Sequence, residues 1–128
     1  MSEPARSSGS NRARMRSSPN RVVGLIAGIG FLLVGAAGLV INPLLTISVN
    51  PLQNGLHLAI GAALVLCAFF GGAARCNAIV GTCLLAIGIA GLFIISTELN
   101  VLAVNGASNL LHFVGAAGLL AVGLGARR

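Results

Sequence analysis

Val49-Asn50-Pro51-Leu52-Gln53-Asn54-Gly55-Leu56-His57 returns 55 positions later as Val104-Asn105-Gly106-Ala107-Ser108-Asn109-Leu110-Leu111-His112. Both copies read V-N-x-x-x-N-x-L-H, and each opens a long apolar run. They hold both histidines of the chain. Asn50 followed by Pro51 reads as a helix start, because Asn accepts from the free N–H groups of a first turn and Pro is tolerated at its first position. With Asn50 as cap, Asn54 and His57 follow at i+4 and i+7, on one helix face. Asn105, Asn109 and His112 repeat that geometry. The duplicated stretch therefore predicts two equivalent helices, each entered through the same polar face.

The rest of the chain says what kind of helices these are. Hydrophobic residues make up 56% of the sequence and charged residues 8%, where a soluble domain carries about 25% charge. Lys, Trp and Tyr are absent. Four stretches, about 22–41, 52–73, 78–95 and 108–126, approach or reach the roughly 20 apolar residues that cross a bilayer. No charged residue lies inside any of them. The expected fold is all-α, four transmembrane helices occupying 21–128, behind a disordered Arg/Ser-rich tail over 1–20.

Charge gives the expected orientation. Arg6, Arg12, Arg14, Arg16 and Arg21 precede the first span, Arg75 lies between the second and third, and Arg127 and Arg128 follow the fourth. An even number of spans puts all of them on one side, opposite Glu98. The positive-inside rule then predicts cytoplasmic termini in a plasma membrane, with both Asn/His motifs at the outer face. The net charge of +6 is thus a topology signal. Clustered Arg beside a membrane also attracts anionic headgroups. Nucleic acid is not expected as a partner, since there is neither a folded basic domain nor an aromatic platform.

The duplication extends beyond the motif. Gly28, Gly35 and Gly38 of the first span recur as Gly81, Gly88 and Gly91 of the third, offset by 53. Each half is then a helical hairpin, and the halves should be related by a pseudo-twofold along the membrane normal, as in parallel repeats. Small residues allow close backbone approach where lipid supplies little drive for association. On that ground Gly24, Gly28, Gly35, Gly38, Gly81, Gly88, Gly91 and Gly115 are expected at helix contacts, with Gly118 beside Gly115. Gly24/Gly28 is a GxxxG pair, and so a candidate homodimer contact.

Three chemistries compete for the Asn/His faces. The first is architectural: polar groups in a membrane are costly unless paired, and Asn and His join helices by hydrogen bonds. The second is a cofactor or metal, with His57 and His112 as axial ligands of haem or weak candidate metal ligands; a closed zinc site wants four ligands. The third is a small-solute or proton pathway, since His titrates near neutrality. The chain lacks the intramembrane charges of coupled transporters. No nucleophile–base pair, phosphate loop or carboxylate dyad is present, so catalysis is not expected. Cys67, Cys76 and Cys83 have no CxxC spacing and read as structural. Glu98 reads as a solvated loop charge with a contact to His57 or His112 open to it.

Asn-Pro-Leu-x-Asn-x-x-His before the second span and Val-Asn-x-x-x-Asn-x-Leu-His before the fourth resemble the actinobacterial membrane protein family called domain of unknown function 4383. The resemblance covers about residues 20–126. It implies an integral membrane protein and carries over no catalytic residue. The first loop, about 42–49, is shorter and less polar than the family pattern. The reading is a membrane subunit, partnered by lipid and by a second copy or another membrane protein, whose Asn/His clusters hold its halves together.

Overall fold

Residues 18–125 are described by a computed structural model, as four helices: α1 (Pro19–Gly38), α2 (Pro51–Phe70), α3 (Ala73–Ile94) and α4 (Gly106–Gly125). Each is long and apolar enough to cross a membrane; 20 residues rise about 30 Å, the thickness of a hydrocarbon core. Arg6, Arg12, Arg14, Arg16, Arg127 and Arg128, and most of the tail expected to be disordered, lie outside the described residues.

Helix starts differ from the sequence expectation, each for a local reason. α1 begins at Pro19 and so takes in the last two residues assigned to the tail. Ser18 caps it through a bond from the Arg21 amide (3.3 Å), and Pro19 stands where its missing N–H costs nothing. α3 begins at Ala73, directly after Gly71 and Gly72, whose positive φ values of 109° and 86° reverse the chain in two residues. Arg75, Cys76 and Asn77 thus lie in early turns of α3 and not in a connecting loop. The span expected to be the shortest is the longest, at 22 residues. Arg21 and Arg75 are therefore inside helices, close to the ends where a long side chain reaches the interface.

The helices pair as two antiparallel hairpins, α1 with α2 and α3 with α4. Residues 39–50 and 95–105 connect them at one end, and the Gly71–Gly72 turn sits at the other. The packing repeats residue for residue. Gly28 of α1 lies against Leu64 and Val65 of α2; Gly81 of α3 lies against Leu119 and Leu120 of α4. Gly35 meets Leu58 as Gly88 meets Phe113, and Gly38 meets Asn54 as Gly91 meets Asn109. Each pair of counterparts is offset by 53 in the first helix and by 55 in the second. This is the pseudo-twofold that the sequence repeat implies.

The axis passes between α1 and α3. Gly24 and its counterpart Asn77 touch each other, as equivalent positions do at a twofold. α1 and α3 meet at the centre, while α2 and α4 barely touch. The midplane core joins all parts: Leu64 of α2, Val80 and Leu84 of α3, Ala116 and Leu119 of α4, with Ala27 and Phe31 of α1 packed on it. Gly24 and Gly28 are both buried within the chain, so the GxxxG pair presents no free face to a second copy. Gly115 is half-buried against Leu84, and nothing lies near Gly118.

Candidate functional site

The polar residues of the repeat form two layers at the loop end of the bundle. The outer layer is built on the helix caps. Asn50 Oδ1 accepts from the Gln53 amide at 2.8 Å, and Asn105 Oδ1 from the Ser108 amide at 2.9 Å. Ser108 Oγ also accepts from the Asn105 amide at 2.8 Å, closing a reciprocal capping arrangement. Capping occupies only the oxygen of each amide. The nitrogens reach the other hairpin: Asn50 Nδ2 donates to Val101 O (2.8 Å), and Asn105 Nδ2 donates to Thr46 O (2.8 Å) and Ser48 Oγ (3.0 Å).

Val101 and Thr46 are themselves 55 apart, so the two bonds are a symmetric pair. Each hairpin donates from the start of its second helix and accepts in its loop. Gln53 reinforces the clasp, since the amide orientation that suits its surroundings donates to Leu102 O (2.7 Å) and Ser48 O (3.1 Å). The preceding valines are the apolar floor of this layer: Val49 and Val104 are each 2% exposed. That burial accounts for the V-N dipeptide opening both motifs. Each valine amide is held from within its own loop, Val49 N by Asn42 Oδ1 and Val104 N by Asn100 Oδ1.

One helical turn deeper lie Asn54 and Asn109, and one further turn down His57 and His112, all four buried. On each helix the Asn and the His lie on the side turned into the bundle. The two faces do not pack helix against helix, because α2 and α4 stand at opposite corners of the bundle. Each Asn instead packs over a glycine of its own hairpin. Asn109 Nδ2 donates to Gly88 O at 3.0 Å, a carbonyl that the missing Cβ of glycine leaves accessible. The His57 ring tilts against Phe31 with centroids 5.5 Å apart. Asn54 Oδ1, Asn109 Oδ1, His57 Nδ1 and His112 Nδ1 are buried without a protein partner. These are two symmetric pairs of polar atoms at equal depth.

A second polar junction, absent from the sequence reading, closes the opposite end. Asn77, 1% exposed, donates from Nδ2 to Asn20 O (2.8 Å) and Asn20 Oδ1 (3.0 Å), joining α3 to α1. Its readable signal was the repeat itself, where Asn77 is the counterpart of Gly24, a large residue facing a small one across the axis. Replacing Asn77 with Ala should cost about 1–3 kcal/mol, because the amide is buried and Asn20 loses its donor. A thermal midpoint equal to that of the wild type would refute this. Asn20→Ser, which retains the backbone carbonyl, should lose less.

Glu98 is exposed, and no ion pair joins it to either histidine among the described residues. Among those residues there is also no group of three or more His, Cys, Asp or Glu side chains placed to hold a metal ion. Cys67 in the last turn of α2 and Cys76 in the first turn of α3 stand on either side of the Gly71–Gly72 turn, both half-buried.

No curated protein and no solved structure matches the chain. A family model, domain of unknown function 4383, matches residues 21–125, which takes in all four helices except the first two residues of α1. With both Asn/His motifs, both hairpins and the loops between them inside that match, the chain belongs to the family of domain of unknown function 4383.

Proposed function

We propose that this multi-pass membrane protein is a non-catalytic structural or interaction subunit at the outer face of a plasma membrane, in which the Asn50/Asn105 layer clasps two helical hairpins into one rigid unit and the Asn/His layer beneath it packs each hairpin internally. The observation that carries this is the crosswise clasp, in which Asn50 donates to Val101 O and Asn105 to Thr46 O. A polar residue spent on capping its own helix and on holding the other half has little capacity left for a substrate. The arginine distribution supports cytoplasmic termini. A cysteine placed at Thr46 should react with a membrane-impermeant maleimide applied from outside intact cells, and labelling only after lysis would reverse the orientation. Replacing the buried His57 and His112 with Ala removes the packing of both rings and should lower the thermal midpoint in detergent by the equivalent of about 0.5–3 kcal/mol for each. Unchanged stability would remove them from the architecture.

A second reading draws on the four unpartnered atoms of Asn54, Asn109, His57 and His112. Buried acceptors of this kind suit a small neutral solute that donates hydrogen bonds, or water. It predicts solute flux into proteoliposomes that His57→Ala and His112→Ala both change. Flux equal to that of empty liposomes would discard it. Haem between the two histidines predicts a Soret band in protein expressed with haem supply, lost in His57→Ala.

A further inference from the structure

The two halves repeat each other in packing, but they differ along one side of α3. There Arg75, Ala78, Ile79, Thr82 and Cys83 line a groove of about 320 Å3. Their spacing sets them on a single helix face. Arg75 stands in the first turn, and Cys83 lies about 12 Å deeper at 1.5 Å per residue. Thr82 Oγ1 donates to Ala78 O at 2.8 Å, so that hydroxyl is satisfied within its own helix and the groove below Arg75 is apolar. Shifted by 53, the same face of α1 reads Val22, Leu25, Ile26, Ile29 and Gly30. Val22 replaces the arginine, and Leu25 and Ile29 stand where Ala78 and Thr82 leave room. The arginine of α1, Arg21, instead has its guanidinium 5.8 Å from the centroid of the Phe69 ring. Arg75 is exposed, and the one carboxylate side chain among the described residues, Glu98, lies at the opposite end of the bundle.

We infer that this groove binds one anionic phospholipid, with the headgroup phosphate on the Arg75 guanidinium and an acyl chain along Ala78, Ile79, Thr82 and Cys83. A cation at the helix end with an apolar channel beneath it matches the order of groups in a phospholipid, read inward from the interface. Guanidinium is well suited to phosphate, since its planar fork presents several donors at once. The charge of Arg75 has no carboxylate of its own end to answer it, so a net negative headgroup supplies the missing counter-charge. A zwitterionic headgroup brings its own cation and gains less. The arginines assign this end to the cytoplasmic leaflet, where anionic lipids concentrate. The site belongs to one half of the repeat and lies at the end opposite the Asn clasp, so neither depends on the other.

The test offers the full chain, purified in detergent and stripped of lipid, an equimolar mixture of phosphatidylglycerol and phosphatidylcholine with identical chains. Native mass spectrometry counts the lipids retained. The first phosphatidylglycerol should be retained about fivefold more than phosphatidylcholine, the preference that one arginine gives at a membrane surface. Arg75→Gln should bring the ratio close to one. Thr82→Phe, which fills the groove and keeps the charge, should lower retention of phosphatidylglycerol. Val22→Arg in the Arg75→Gln chain restores the charge at the symmetry-related position without the groove, and should leave the ratio close to one. A preference recovered there, or one that survives Arg75→Gln, would mean that charge at this end suffices and overturns the inference. Arg75, Thr82 and Val22 are all exposed. Wild-type protein that retains the two lipids equally overturns the inference without any variant.

Discussion

Replacing Asn50 and Asn105 together with Ala should destabilise the protein by about 4 kcal/mol, the largest loss expected of any polar pair in the bundle. Each substitution removes a helix cap, worth about 1 kcal/mol, and a bond to the other hairpin, worth about 1 kcal/mol net. The two effects can be separated, because they use different atoms of the amide. Asn50→Ser and Asn105→Ser keep an oxygen for the cap but lack a nitrogen able to reach Val101 O or Thr46 O. The Ser pair should therefore lose about half as much as the Ala pair. Since both bonds close one junction, the two Ser substitutions should be non-additive in a double-mutant cycle. Chemical or thermal unfolding in a single detergent measures all of these. Equal stability of the Ser pair and the wild type would show that the cross-hairpin bonds carry no weight.

The second large effect is steric. A methyl at Gly61 would lie 2.7 Å from Gly28 O and 2.8 Å from Leu32 N, and one at Gly123 would lie 2.6 Å from Ala78 N. These are backbone atoms, which cannot swing aside as a side-chain tip can. Gly61→Ala and Gly123→Ala should each cost about 1–3 kcal/mol, the usual penalty of overpacking. Gly38→Ala meets a side chain, the Asn54 amide, and should be partly rescued by Asn54→Ala. Gly118→Ala, with nothing within 4 Å, is the control and should be neutral. A Gly61→Ala protein as stable as that control would mean that α1 and α2 can part without cost.

These two predictions rest on features of different legibility. The apolar runs, the repeat and the cap positions could be read from residues alone, because membrane length and helix-start chemistry are local rules. The glycines of α1 and α3 could be read as packing positions, and the structure puts six of them, Gly28, Gly35, Gly38 and their counterparts, against α2 and α4. The start of α3 could not be read in the same way. Arg75 and Asn77 look like loop residues, yet a first turn tolerates polar groups that a helix centre would not. The targets of the Asn nitrogens were equally hidden, since they are carbonyls in loops whose path depends on the other half. Asn20 and Asn77 escaped because they are not counterparts in the repeat, and only the axis between α1 and α3 explains why they meet.

The crosswise clasp also imposes a timetable on biosynthesis. Asn50 and Val101, which close one bond, are separated by 51 positions along the chain. At roughly 5–20 residues per second of translation, the Asn50 donor waits a few seconds for its acceptor, with α3 made in between. The Thr46 carbonyl waits longer, until Asn105 emerges. The first hairpin therefore leaves the ribosome with its outer edge unfinished, and only the arrival of the second completes it.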